Sequence, residues 1–349
     1  MNDSDKKTIL KLEHQVAKIF EWRRGFNYIY LIKIGLDLGI FKFLADTPYC
    51  NPQKIAKSLS LYAPYVDVWC KTAFAAGILE TIDCEHYCLG DHYQEILANE
   101  SHPSFLGGYV KLGTDFAAKD FEFCIEAFKT GSKIPFQNRS QAFAETVGVA
   151  ISGLHSLVTH KIIPNLPGQK VKLLKGCKIL DVGCGTGKLV FCLAEVWKDA
   201  EISGVDIDPT GLKVAKEQRA KLELEDKINL VEGRVRDVGD KESFDVITMI
   251  EVLHEISPEA RQSVIDDCYS LLRSGGWLVI IDETYPSEPA EYRQPEYQFP
   301  IQTAFEELTW GNTLPTKEEQ EKLLSDFGLK NVDRKLLGEG FTLLSVRKD

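Results

Sequence analysis

Residues 178–188 read KILDVGCGTGK. A short apolar run meets an acid, Asp181, and glycines then fall at every second position, at 183, 185 and 187. The following GKLVFCLAEVW (187–197) has helical periodicity, so the segment reads as strand, glycine turn, helix. Such a turn lies at the carboxyl edge of a sheet strand, where open α/β sheets bind ligands. Glycines let the backbone approach the ligand, and the helix start offers free N–H groups. Two phosphate loops fail on named residues. A dinucleotide GxGxxG needs glycine at 188, where Lys188 stands. A P-loop needs glycine at 182 and Ser or Thr at 189, and these are Val182 and Leu189.

Outward from the loop, strands and helices alternate. EISGVDI (201–207) is a second strand, followed by a helix start at Asp208-Pro209. INLVEG, FDVITMI and WLVIIDE are further strands, nearly continuous in apolar residues, as strands buried on both faces should be. FTLLSVRK closes the sheet, and Thr316 with Glu319 forms a capping box opening PTKEEQEKLLSDFGL. Ser257-Pro258 starts a helix that Gly275-Gly276 is expected to end. This alternation predicts an α/β fold with a Rossmann-like parallel sheet.

The first third reads differently. YLIKIGLDLGIFKFLAD (30–46) carries Leu31, Ile34, Leu38 and Phe41 at helical spacing, as one helix. Asn51-Pro52 opens another helix, APYVDVWCKTAFAAGILE a third, and ILETIDCEHYCLGD makes two short strands around a polar turn. Helices followed by a hairpin give the layout of a winged helix. Residues 51–80 hold only Lys54, Lys57 and Lys71 as basic residues, too few for phosphate contacts, so a structural or dimer-forming role is expected over DNA binding. Residues 100–161 are mostly helical in pattern, and IIPNLPGQK (162–170) reads as the connection to a second domain. The expected division is 1–165 and 166–349.

A net charge of −11 over 349 residues argues against a nucleic-acid partner. No apolar run reaches the roughly 20 residues that span a bilayer, and the first ten residues lack the apolar core of a signal peptide. Nine scattered cysteines with no CxxC pair read as reduced cytoplasmic thiols. Cys84 and Cys88 bracket His86, but no second ligand pair follows, and no metal site is expected.

The Asp-x-Gly-x-Gly-x-Gly run from Asp181 to Gly187 resembles motif I of class I methyltransferases that use S-adenosyl-L-methionine (SAM). The resemblance implies that the loop wraps the amino-acid end of this cofactor, and that Asp181 helps hold its ammonium group. It places Asp206, at the end of the second strand, on the ribose hydroxyls. A carboxylate suits a diol because it accepts two hydrogen bonds. The implied cofactor set is Asp181, Gly183, Cys184, Gly185, Gly187, Asp206, Ile207, Arg234, Val235 and Ile250. Arg234 stands where relatives often carry an acid near the adenine amino group, so backbone groups around Arg234 and Val235 are expected to do that work.

The stretch from Phe244 to Pro286 resembles the caffeic acid and hydroxyindole type of small-molecule O-methyltransferase, which also carries a winged-helix dimerisation domain. The resemblance covers nearly the whole chain and implies a homodimer and a small hydroxylated acceptor. It makes His254 the general base and places Asp282 beside it, with Glu283 its neighbour. Strand alternation should aim only one of these two acids at the site. A second supporting acid of the plant-type enzymes falls near Leu314, where there is no carboxylate. Acceptor contacts are expected from Tyr292, Tyr297, Phe299, Phe305 and Trp310, and closure from Pro135 and the Phe residues of 116–143. Carbon or nitrogen methylation on the same fold, or a SAM-binding winged-helix regulator, are the alternatives. Iron-assisted methylation would need further histidines, and His254 is the only one after residue 160.

Overall fold

The computed structural model describes residues 11–134, 139–168, 176–325, 332–338 and 340–349. They form two compact units, Met1–Thr114 and Asp115–Asp349. The expected boundary after residue 165 falls inside the second unit, because the helices before it pack on those of the sheet.

The first unit opens with α1 (Leu12–Asp37) and α2 (Ile40–Asp46). The single helix expected over 30–46 is broken here, because Gly39 takes a left-handed φ of 70° and caps α2. Leu31 and Phe41 are buried as the spacing predicted, while Ile34 and Leu38 are exposed. Next come α3 (Pro52–Leu59) and α4 (Ala63–Ala75), α3 capped by the Asn51 side chain, which accepts from Lys54 N at 2.8 Å. The antiparallel pair β1 (Leu79–Thr81) and β2 (Tyr87–Leu89) follows. In the turn between them His86 Nδ1 lies 2.7 Å from the Asp83 carboxylate, while Cys84 is exposed. The unit's core gathers Ile40, Phe41, Leu44, Ile55, Trp69 and Leu79.

In the second unit, α5 (Gly107–Lys111) having ended the first, α6 (Ala118–Thr130), α7 (Gln141–Ala150) and α8 (Ser152–Leu157) come first. Then β3 (Lys178–Val182), α9 (Lys188–Val196), β4 (Glu201–Asp206), α10 (Pro209–Lys221) and β5 (Ile228–Glu232) alternate. The chain continues through β6 (Phe244–Ile250), α11 (Pro258–Leu271), β7 (Leu272–Glu283), α12 (Gln298–Glu306) and α13 (Lys317–Leu323). It ends with β8 (Val332–Leu337) and β9 (Phe341–Arg347). Helix α8 packs on α9, and α7 on α10.

The sheet order is β5-β4-β3-β6-β7-β9-β8, parallel except where β9 runs antiparallel to both β7 and β8. Alternate residues feed two cores. Ile179, Ile202, Val246 and Ile281 meet α9, whereas Leu180, Ile247, Met249 and Ile280 meet Ile265 and Cys268 of α11. All seven residues of β6 are buried, in accord with the continuous apolar run. Two details depart from the sequence reading. Helix α11 ends at Leu271, and Gly275 and Gly276 instead sit in an irregularity of register where β7 joins β6 between Leu272 and Trp277. Strand β8 was not expected, because its polar VDRKLL forms a half-exposed sheet edge with little apolar signal. Among the described residues no single helix is long and apolar enough to cross a membrane.

Candidate active site

The alternating glycines close over the carboxyl ends of β3 and β4. Gly183 N and Cys184 N both donate to Val205 O, at 2.9 and 3.2 Å, which folds the loop back on the sheet. A Cβ on Gly183, whose φ is 71°, would lie 2.4 Å from the Val252 side chain. Gly185 N donates to Asp206 Oδ2 at 2.7 Å, and Asp206 Oδ1 accepts from Asp208 N at 2.8 Å. Asp208 caps α10 by accepting from the backbone N–H groups of Thr210 and Gly211. The strand end, the glycine loop and the next helix are thus tied through two aspartates.

Beside this loop lies a cavity of about 630 Å³. Asp181, Gly183, Cys184, Gly185, Asp206, Ile207, Arg234, Val235 and Ile250 all line it. Gly187 does not; at φ 78° it caps α9 and donates to Cys184 O at 2.7 Å. Arg234 is solvent-exposed and its backbone N–H donates to Asp237 Oδ2 at 2.9 Å, while Val235 is buried against the cavity. Burial pushes the Asp181 carboxyl up to about 7, although Thr248 Oγ1 donates to it at 2.7 Å. Burial likewise raises Asp206, with the Asp208 and Gly185 N–H groups opposing it. The volume suits a nucleoside-sized ligand. Its acids, Asp181, Asp206, Asp208, Glu251, Glu255 and Asp267, outnumber the basic Lys188, Arg234 and Arg236, which fits an ammonium group and a diol better than a pyrophosphate.

His254 lies in the loop from β6 to α11, at the same edge of the sheet, and is buried. Its Nδ1 is 3.0 Å from Asp282 Oδ1 and its backbone N–H donates to Asp282 Oδ2 at 3.2 Å. Glu283 Oε2 is 3.6 Å from the same Nδ1, so both strand-end acids approach the ring. The longer Glu283 side chain, from the last residue of β7, reaches round where alternation alone would turn it away. The other ring nitrogen, Nε2, faces Glu307 Oε2 at 3.4 Å. Burial works against charging this imidazole, but Asp282 and Glu307 outweigh it and raise its pKa well above the ordinary value.

Sequence reasoning found no second acid near Leu314, and it missed Glu307, which the structure brings to the ring. It follows α12, and Asn312 Nδ2 holds it by donating to Oε2 at 2.8 Å. The acid pair Glu306-Glu307 inside an aromatic stretch was its only trace. Glu251, at the end of β6, was also missed. It lines the cavity, has a left-handed φ of 57°, and is raised well above the ordinary carboxylate range by burial and then by Glu283 and Asp282. Burial raises Glu283 to about 7 and Glu255 to about 8. Arg261 fixes the loop from below: buried, its Nε donates to Leu253 O and Ile256 O, and its Nη2 to Thr313 Oγ1 at 2.9 Å.

The expected acceptor aromatics sit elsewhere in the second unit. Trp310 is buried, donating to Asp120 Oδ2 at 2.8 Å and meeting Phe143 edge-on, while Phe116 also meets Phe143. Phe299 pairs with Phe341, Phe305 stacks on Phe121, and Tyr292 meets Tyr285. Tyr297 Oη lies 3.3 Å from Glu291 Oε1. None of the five lines the 630 Å³ cavity. Pro135 lies outside the described residues.

Residues 173–326 match the family described as "Methyltransferase domain". A mitochondrial ubiquinone biosynthesis O-methyltransferase of Candida albicans is 34% identical over 29% of this chain and 31% of its own length. An erythromycin 3''-O-methyltransferase of Saccharopolyspora erythraea is 30% identical over 38% of this chain and 42% of its own. The chain thus spans less than half the length of these two relatives. Human N-acetylserotonin methyltransferase, solved in complex with SAM, superimposes with a TM-score of 0.76 at 17% identity, covering 100% of this chain and 99% of that one. The strand order agrees with that likeness in fold, and residues 173–326 are similar to a methyltransferase domain.

Proposed function

We propose that the protein is an O-methyltransferase, transferring the methyl group of SAM to a hydroxyl of a small, aromatic or apolar acceptor with His254 as general base. The observation that carries this is a buried histidine on the ligand edge of the sheet, with each ring nitrogen facing a carboxylate. When bound, the sulfonium cofactor supplies an already activated methyl group and leaves as a neutral thioether. The protein's work is then alignment and removal of one proton. Asp282 fixes the ring by bonding both Nδ1 and the backbone N–H of His254. An acceptor seated at Nε2 in place of Glu307 removes one of the charges that hold the imidazole protonated, and the neutral ring's Nε2 is then the nitrogen that receives the hydroxyl proton. Asp206 and the Gly185 N–H shape the ribose end of the cavity, and Asp181 the ammonium end.

His254→Ala is expected to reduce kcat by roughly 10²- to 10⁴-fold on a hydroxylated aromatic acceptor while SAM still raises the melting temperature. Retained turnover with intact SAM binding would point to a nitrogen acceptor, since a neutral amine needs no such base. We also infer a homodimer. Along α1 the side chains of Ile19, Phe20, Trp22 and Phe26 are each about 60% exposed, an apolar row that a second copy would cover. The nine cysteines are all free thiols, which supports a reducing, cytoplasmic setting.

A further inference from the structure

Around His254 the acids are more numerous than proton transfer requires. One ligating atom each from Glu251, His254, Asp282 and Glu283 lies within 4.8 Å of all the others. Two of these acids are left wanting. Glu283 is 1% exposed, and its Oε2, pointing at His254 Nδ1, has no hydrogen-bond partner among the described residues. Glu251 is half-buried as a residue, but its Oε1 is out of reach of solvent and has no hydrogen-bond partner among the described residues. A buried carboxylate oxygen without a donor is costly, and two around one small space call for a cation between them.

The geometry points to a divalent-cation site formed by Glu251, Asp282, Glu283 and His254 Nδ1. The surroundings suit metal ligation. Metal-bound histidines usually give their second N–H to a carboxylate, and Nε2 faces Glu307. The ligating acids are themselves oriented: Asp282 Oδ1 accepts from Glu283 N at 2.9 Å, and Glu283 Oε1 from Thr303 Oγ1 at 2.8 Å. Three carboxylates with one imidazole favour a first-row ion such as Mn²⁺ or Zn²⁺ over soft ions that want thiolates. Glu251 also borders the cavity, which gives the ion a route in.

Binding exchanges the Nδ1 proton, released to solvent, for the cation, and leaves Nε2–H on Glu307. An occupied site therefore withholds His254 from the role proposed above, and the cation acts as an inhibitor of turnover. The two readings fail separately, because cation binding is read without any acceptor. The full chain, stripped with chelator, would be titrated with Mn²⁺ and followed by electron paramagnetic resonance, with Zn²⁺ as competitor. One saturable, Zn²⁺-displaceable site is expected, weakened about tenfold or more in Glu283→Gln and in Glu251→Gln. Two variants are used so that one poor folder, recognised by its circular dichroism, leaves the other to decide. Absence of saturable binding, or binding unchanged in a folded variant, overturns the site.

Discussion

Asp181 shows what one buried carboxylate does at the head of the glycine loop. Its folded-state pKa is pushed up to about 7, so the protein alone favours its neutral form. A raised acid contributes stability that is fully present below its ordinary value of 3.8 and is lost as pH climbs through about 7. An ammonium group on the ligand reverses that preference. SAM affinity is therefore expected to rise between about pH 6 and 8, with proton release at the lower pH, and Asp181→Asn should flatten the dependence. Calorimetry in two buffers of different ionisation heat measures both. The neighbouring glycines separate fold from ligand. In Gly183→Ala the new Cβ meets Val252 at 2.4 Å, so the melting temperature should fall along with affinity, by about 1–3 kcal/mol. At Gly185 no protein atom stands within 4 Å of a Cβ, although φ is 48°, so Gly185→Ala should chiefly cost SAM affinity.

At the scale of elements, the β6–α11 loop is positioned by groups distant in sequence. Arg261 ties Leu253 O and Ile256 O to Thr313, and Asp282 reaches the loop from β7. Arg261→Leu leaves these acceptors buried without their donor, and should destabilise the protein by about 2–4 kcal/mol while lowering kcat more than SAM affinity. Thermal melts with parallel SAM titrations test this. Much of the element plan was legible because buried parallel strands demand unbroken apolar runs, and because Asn51, Asp208 and Thr316 cap helices through local bonds. What stayed hidden was β8, an edge strand held by pairing to β9, and the break in the first helix, set by one left-handed glycine.

On the scale of the molecule, the exposed row on α1 bears on assembly. Light scattering after size exclusion should return twice the 39.3 kDa chain mass, and the double variant Phe20→Glu with Phe26→Glu should return the monomer. A monomeric wild-type protein at micromolar concentration would refute the dimer. The boundary between compact units is likewise a property of packing. The IIPNLPGQK segment looked like a linker, yet α7 and α8 before it fold onto α9 and α10.

By its own pattern the sequence determined the parallel sheet, the glycine loop with its two aspartates, and a histidine on the ligand edge. Each follows from local rules: period-two or unbroken apolar runs, glycine at left-handed turns, and strand ends facing the ligand. Only the tertiary structure decided which acids surround that histidine. Glu251, Asp282, Glu283 and Glu307 come from three places in the chain, and no spacing rule links side chains that long-range packing brings together. The electrostatics of the site follow from the same cause, since burial and mutual proximity, rather than residue type, set the charge each carboxyl carries.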